Sequence, residues 1–178
     1  MITTLAIDSL LIPTEAGLTF DQTYAQLRAE KLNRTADGSA SLRRLWDNKL
    51  ATTITGKGWI PSGFEALDTG ATVTLKCAMP RHAASASTTV TLPAARRSDT
   101  DHEPVGYAVV GDHLVETPIT NLAAILAGST DDATLTAVTG ATGYRVSYLP
   151  QFSALILSAT SKGSNDATFE WSLEAEQV

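Results

Sequence analysis

The sequence Thr168-Phe169-Glu170-Trp171-Ser172-Leu173-Glu174-Ala175-Glu176 places apolar residues at odd positions and polar or acidic residues at even positions. Successive side chains of a β-strand point to opposite faces, so this alternation predicts a strand with one buried face and one acidic, solvated face. The same two-residue period recurs upstream. The sequence therefore predicts a mainly β fold, an antiparallel β-sandwich or barrel with one or two short helices.

The dipeptide Asp37-Gly38 is the clearest turn signal in the first half of the chain. It supplies the positive φ angles that a tight hairpin turn requires, and it joins residues 32–36 to a long run with apolar even positions, residues 42–55. The preceding segment, residues 20–32, fits both a helical apolar stripe and strand alternation. Because it is rich in good helix formers, we predict a helix there.

Short apolar runs bounded by turn residues predict the remaining strands. These runs are residues 5–13, 73–79, 88–92, 107–110, 114–117, 135–138, 144–149 and 153–159. A helical turn is predicted at residues 64–68, and a short helix at 122–127 with Asn121 as its cap. No repeat or linker divides the chain, so we predict a single β-rich domain, residues 1–178, with an extended loop around residues 83–104.

Composition narrows the classes of function. The chain has 178 residues, 43% of them hydrophobic, which is enough for one buried core. Its net charge of −6 argues against specific nucleic-acid binding, which needs clustered Lys and Arg. The single cysteine, Cys77, excludes an intrachain disulfide and is expected to be buried. Residues 1–5 do not resemble a signal peptide, and no run has membrane-spanning length, so no membrane anchor is predicted.

No catalytic, cofactor-binding or metal-binding residues are predicted. The histidines, His82, His102 and His113, lack paired metal-ligand spacing, and residues 99–103 lack the framework of a calcium loop. No Gly-x-Ser-x-Gly motif is present, and Gly56-Lys57-Gly58 does not lead into a phosphate-binding helix. We therefore predict a protein that is not an enzyme. The alternative, a glycan hydrolase, requires Glu170 or Glu174 to face another carboxylate across a cleft.

Two stretches carry a family resemblance. The first runs from Asp37-Gly38 to residue 77 and contains Gly56-Lys57-Gly58-Trp59-Ile60-Pro61-Ser62-Gly63. The second comprises Gly143-Tyr144-Arg145-Val146-Ser147-Tyr148-Leu149-Pro150 and the alternating strand at residues 169–176. Together they cover roughly half of the chain. They resemble small minor-tail or distal-tail structural proteins of long-tailed double-stranded DNA bacteriophages, and the Gly-x-Gly-Trp-x-Pro-x-Gly pattern is the most specific part.

The resemblance implies a non-enzymatic virion subunit with a tail-tube-like β-sandwich, synthesised in the host cytoplasm and located in the tail. It implies a homo-oligomeric ring around the DNA channel, expected to be a hexamer, at or near the distal tail or baseplate. Neighbouring tail-tube, tape-measure or baseplate hub proteins would be its other partners, with no cofactor. Three expected features fit this role. The sheet edges need pairing partners, the extended loop would be ordered by a neighbouring subunit, and the negative net charge would not trap DNA.

The large aromatic residues distinguish this role from an alternative. As a ring subunit, the protein should use them in its core or its subunit contacts; they are Trp46, Trp59, Phe64, Phe169 and Trp171. The alternative is a receptor- or carbohydrate-binding β-sandwich module of the tail tip, in which exposed Trp59 or Tyr107 stacks on sugars.

Overall fold

The computed structural model describes residues 4–99 and 101–178, apart from the side chains of Asp47 and Asn48. Strands make up 56% of the chain and helices 6%, and the sheets are antiparallel. The predicted fold class, mainly β and sandwich-like with short helical pieces, is confirmed.

The elements follow one another as short strands, one long hairpin and a strand-rich second half. The strands are β1 (Ala6–Ile7), β2 (Leu10–Leu11), β3 (Thr19–Arg34), β4 (Ala40–Gly58), β5 (Thr72–Lys76), β6 (Arg81–Ser85), β7 (Thr89–Thr91), β8 (Val105–Val110), β9 (His113–Glu116), β10 (Asp132–Thr134), β11 (Ala141–Tyr148), β12 (Gln151–Gly163) and β13 (Phe169–Gln177). The helix α1 spans Leu122–Leu126, and two 3-10 turns span Thr14–Ala16 and Phe64–Ala66.

The residues group into two compact units, each made of two stretches of chain. The hairpin unit comprises Leu10–Thr74 and Ser153–Val178; the four-strand unit comprises the chain up to Ser9 and Leu75–Phe152. The single domain expected from the sequence remains a prediction.

The hairpin unit is built on antiparallel strands in the order β12-β13-β4-β3. The last strand, β13, pairs along its whole length with β12 on one side and with the inner half of β4, Ala51–Gly58, on the other. Its buried face carries the odd positions predicted from the sequence, Trp171, Leu173 and Ala175. Burial of this face stabilises the sheet, because alternation directs every second side chain into the core.

The four-strand unit contains a sheet in the order β6-β11-β8-β9 and a two-stranded ribbon of β7 and β10. One hydrophobic cluster connects them, with Val90 on β7, Ala133 on β10 and Tyr144, Val146 and Tyr148 on β11. The three residues of β11 share a buried face, as the sequence predicted. Strand β9 is an edge of this sheet, and all of its residues are exposed.

Several local predictions are confirmed. The Asp37-Gly38 turn joins β3 to β4, and Gly38 adopts a φ of 84° that favours glycine. The β8–β9 hairpin, the helical turn at residues 64–66, the helix α1 before Gly128 and buried Cys77 lie where expected. The first three residues, for which no signal peptide is predicted, lie outside the described residues.

The helix predicted at residues 20–32 is wrong, because these residues belong to β3. They pair with β4 over almost the whole length of both strands, and this long-range pairing outweighs the local helix propensity. The strand expected at residues 5–13 is interrupted at Asp8, whose φ of 49° reverses the chain between β1 and β2. The strand expected at 135–138 lies earlier, at β10.

The extended loop expected around residues 83–104 is also wrong in its first half. Strands β6 and β7 occupy residues 81–85 and 89–91, and both pair with other strands of the four-strand unit. The sequence did not predict β6, because this edge strand, Arg81-His82-Ala83-Ala84-Ser85, has no large apolar residue. Asn121 makes no side-chain cap to α1; it bonds instead to the backbone of β10.

Candidate interaction surfaces

The inner end of the β3–β4 hairpin packs around Trp171, which is 3% exposed. Its indole Nε1 donates a hydrogen bond of 2.6 Å to the carbonyl oxygen of Ala16. Phe64 contacts the indole edge-to-face with ring centroids 5.4 Å apart, and Phe20 lies 6.1 Å away. A buried indole stabilises through large apolar area only if its N–H is satisfied, and both conditions are met here.

The two glycines of the Gly-x-Gly-Trp motif make room for this packing. A Cβ on Gly56 would lie 2.3 Å from the Trp171 ring, and a Cβ on Gly58 would lie 2.2 Å from the carbonyl oxygen of Glu15. Neither distance is tolerated between non-bonded atoms, so both positions require glycine. The two glycines of the motif therefore serve close packing within the hairpin unit.

The outer half of the same hairpin has a different environment. We call residues 28–49 the hairpin arm. Strand β13 ends its pairing with β4 at Ala51, so the described part of the arm consists of two strands that pair only with each other. Every described residue from Glu30 to Trp46 is exposed. A two-stranded hairpin without a third strand or a covering layer is marginally stable in water.

The arm exposes large apolar side chains along with basic ones. The exposed fractions of its apolar residues are 55% for Leu32, 51% for Leu42, 87% for Leu45 and 45% for Trp46. Leu32 and Leu42 are a cross-strand pair, and the regular register places Arg34 and Arg44 two positions away on the same face. That face therefore presents an apolar centre with Arg34 at one end and the Arg44–Glu30 ion pair at the other, and a polar rim around an apolar core is the usual composition of an interface.

Charge is distributed unevenly between the arm and the remaining chain. Six of the 13 Lys and Arg residues but only three of the 19 Asp and Glu residues lie in residues 28–49. The arm accordingly has a net charge of +3, and the remaining chain has −9. The opposite net charges would favour contact between the arm of one molecule and an acidic surface of another.

The arm keeps its shape through its turn and a few exposed ion pairs. The Asp37 carboxylate accepts hydrogen bonds from the Thr35 hydroxyl and from the Ser39 amide at 3.1 Å. These hydrogen bonds, of which the one from Thr35 has the largest effect, lower the pKa of Asp37 to about 2. The Asp37 carboxyl group is therefore ionised at neutral pH. Glu30 lies 3.7 Å from Arg44 and 3.8 Å from Arg28, separations that contribute little at an exposed surface.

Arg96 and Arg97 lie in the second half of the loop expected around residues 83–104, and their side chains are buried. The Arg97 side chain is 3% exposed and donates hydrogen bonds to Asp99 and to the carbonyl oxygens of Thr4 and Cys77. The Arg96 side chain is 6% exposed and bonds to Asp131 and to carbonyl oxygens near the end of α1. Both arginines therefore anchor the 94–99 segment within the four-strand unit.

The surroundings of Arg97 lower the pKa values of two neighbouring groups, Asp99 and His102. Hydrogen bonding from Arg97 lowers the pKa of Asp99 to about 2. Burial lowers the pKa of His102, and the Arg97 guanidinium lowers it further. A neutral His102 whose Nδ1 lies 3.1 Å from the Arg97 guanidinium accepts a hydrogen bond there. Arg97, Asp99 and the Nδ1 atom of His102 hold the segment in place, whereas the Nε2 atom of His102 is buried without a hydrogen-bond partner.

No catalytic or metal-binding constellation was predicted, and the candidate residues are dispersed. Among residues 4–99 and 101–178, no three His, Cys, Asp or Glu side chains are placed to hold a metal ion. Glu170 is ion-paired with Lys57 at 3.1 Å, at an open groove of about 420 Å³ that Asp21 also lines. Glu174 and His82 are exposed.

The aromatic residues expected in the core or at subunit contacts divide into two groups. Phe64 and Trp171 are core residues, and Phe169 is half-buried on β13. Trp46 and Trp59 are not core residues: Trp46 belongs to the arm, and Trp59 is 66% exposed, next to exposed Ile60. Tyr107 is half-buried. The exposed leucines of the arm had no signal in the sequence, because a leucine on a strand is normally read as a core residue.

Comparison of this chain with protein-family models finds no match, and comparison with the curated proteins and with the solved structures finds none either. In the described part of the chain, no helix has the length and apolar character needed to cross a membrane.

Proposed function

We propose that the protein is a non-enzymatic structural subunit of a bacteriophage tail that assembles with copies of itself into a ring, at or near the distal end of the tail. The observation that carries the assembly part of this proposal is the hairpin arm. Its two strands expose four large apolar side chains, and the described residues of the same chain leave them uncovered. Leu32 and Leu42 lie opposite each other on the arm, and neighbouring exposed apolar side chains on a folded domain are a candidate interaction site.

The tail assignment is supported by the resemblance in the Gly-x-Gly-Trp-x-Pro-x-Gly segment and in the alternating strand at residues 169–176. Both stretches form the sheet that supports the arm. A ring of acidic subunits would let DNA pass without trapping it, because the phosphate backbone binds to clustered positive charge.

Native mass spectrometry over a range of protein concentrations tests the proposal, with negative-stain imaging of the largest species. We expect closed homo-oligomers of one dominant stoichiometry, with six copies as the first expectation. A protein that stays monomeric at every concentration, including in the presence of preformed tail tubes, would refute the ring.

The arm is tested separately with a matched pair of variants. Leu32→Ser with Leu42→Ser removes apolar side chains from the arm, whereas Leu18→Ser with Leu157→Ser removes two equally exposed leucines of the hairpin unit elsewhere. We expect the first variant to remain folded and monomeric, and the second to assemble like the parent. Equal assembly of both variants would show that the arm is not the contact.

A second candidate function, binding of a receptor glycan at the tail tip, is favoured by Trp59. Its indole is largely exposed, and exposed aromatic faces stack on sugars. Glycan-array binding that is lost in Trp59→Ala but kept in Trp46→Ala would support this function. An array without any signal for the assembled protein would exclude it.

A further inference from the structure

The four-strand unit carries a depression that differs in composition from the other surfaces. It has a volume of about 370 Å³ and is bounded by the start of β8, the end of β9 and the start of α1. Its apolar lining includes Pro104, Ile119 and Leu122, and its charged residues are all acidic: Asp101, Glu103 and Glu116. No Lys or Arg lines it. It is an apolar cleft with an acidic margin.

This composition is the complement of the hairpin arm. The arm face has an apolar centre, Leu32 with Leu42. Arg34 flanks it at one end, and Arg44, opposite Glu30, flanks it at the other. The depression has an apolar floor between exposed carboxylates. Apolar anchors that fill clefts supply most of the affinity in an interface, and matched charges at the margin set orientation and association rate.

We propose that the depression is the docking site for the hairpin arm of a second copy of this chain. The inference rests on the proposed function, because it names the surface that the arm contacts in self-assembly. A second copy is the favoured occupant because the arm, at +3, is the basic part of a chain whose remainder is −9. In the depression, Glu103 and Glu116 pair with Arg34 and Arg44, and Ile119 and Leu122 cover the two leucines.

The geometry of the assembly follows from the use of two different surfaces. Each copy offers one arm and one depression, so the contact is head-to-tail. Repeated head-to-tail contacts close into a ring when the rotation between copies divides a full turn, and otherwise continue as a filament. A ring built on the proposed contact therefore needs no second interface.

The first test uses complementary defective variants. The arm variant carries Leu32→Ser and Leu42→Ser; the depression variant carries Glu103→Lys and Glu116→Lys. Each alone should stay monomeric, with self-association weakened by about 30-fold or more. An equimolar mixture retains one intact contact per pair, so native mass spectrometry should show a one-to-one heterodimer and nothing larger. The matched control Glu65→Lys with Glu174→Lys changes charge equally at exposed acids elsewhere and should assemble normally.

The second test does not depend on loss of assembly. Chains carrying Leu42→Cys and chains carrying Leu122→Cys are mixed and oxidised; buried Cys77 is left unchanged. A disulfide-linked heterodimer should form in this mixture, and neither chain alone nor a mixture of Leu42→Cys with Leu157→Cys should form one. Circular dichroism and thermal melting establish that each variant is folded.

The results distinguish failure of the proposed docking site from failure of ring assembly itself. An oligomeric parent whose variants neither complement nor cross-link overturns the depression as the docking site and leaves ring assembly standing. A parent that remains monomeric overturns both. Complementation together with the specific cross-link supports the contact.

Discussion

The two ends of the β3–β4 hairpin have opposite environments within one continuous pair of strands. At the inner end, β4 lies between β3 and β13, and Gly56 is fitted against a buried Trp171. At the outer end, the strands have only each other, and Leu32, Leu42 and Trp46 are exposed. Side-chain type alone does not distinguish the ends, since both carry aromatic and aliphatic residues.

The comparison shows that the presence of a neighbouring strand determines which apolar residues become core. Where β13 is paired, apolar side chains of β4 such as Ile54 are fully buried. In the arm, beyond Leu50, apolar residues of similar type such as Leu42 remain at the surface. A substitution at the inner end should therefore act on folding, and one at the outer end on association.

The largest expected effect is that of Trp171→Ala. It removes a buried indole and its hydrogen bond to Ala16, and we expect the free energy of unfolding to fall by about 3–5 kcal/mol. Trp46→Ala in the arm is the matched control and should cost less than about 1 kcal/mol. Urea denaturation of both variants measures the difference, which would vanish if the two tryptophans were equivalent.

The next effect is that of Gly56→Ala. The added Cβ overlaps the Trp171 ring, and overpacking of this kind costs about 1–3 kcal/mol. Gly38→Ala tests the other reason for glycine, since nothing lies within 4 Å and only its φ of 84° disfavours alanine. Thermal unfolding should rank Gly56→Ala as the more destabilising; the reverse order would mean that the indole moves aside.

A smaller effect on stability is expected for the leucines of the arm. Leu32→Ser and Leu42→Ser should each change the free energy of unfolding by no more than about 0.5 kcal/mol, because their side chains are already in water. Chemical denaturation at a concentration where the protein is monomeric isolates this quantity. A loss above about 2 kcal/mol would show that the arm is covered within its own chain.

The smallest effect concerns the turn of the arm in acid. The pKa of Asp37 in the folded protein, about 2, lies below the unfolded value, so its contribution is present above the unfolded pKa and is lost as the pH falls towards 2. Amide chemical shifts of Gly38 and Ser39, followed by NMR from pH 5 to 1.5, should report this titration. Asp37→Ala should abolish it without moving the shifts of β13.

The sequence was sufficient where short-range chemistry determines the structure. Asp37-Gly38 predicted the hairpin turn, and the alternation at residues 169–176 predicted a strand with Trp171 on its buried face. Both signals depend on residues that are adjacent or two positions apart. The fold class followed from the same local periodicity.

The remainder depends on partners that are distant in the chain. The helix predicted at residues 20–32 failed because pairing with β4 overrides propensity. Burial of Arg97 depends on carbonyl oxygens of Thr4 and Cys77, which no local pattern predicts. Leu42 is exposed because the pairing of β13 with β4 ends at Ala51. The sequence does not reveal where that pairing ends, so it did not distinguish the apolar residues of the arm from those of the core.

The hydrogen bond between Trp171 and Ala16 joins residues that are 155 positions apart. Contacts of such long range slow folding, because the entropy of closing the loop is lost before the contact forms. During translation, β4 therefore leaves the ribosome long before the strand that covers its inner edge. The nascent chain should rely on chaperones that shield β-edges, and expression at reduced temperature or with a slower promoter should raise the yield of native protein.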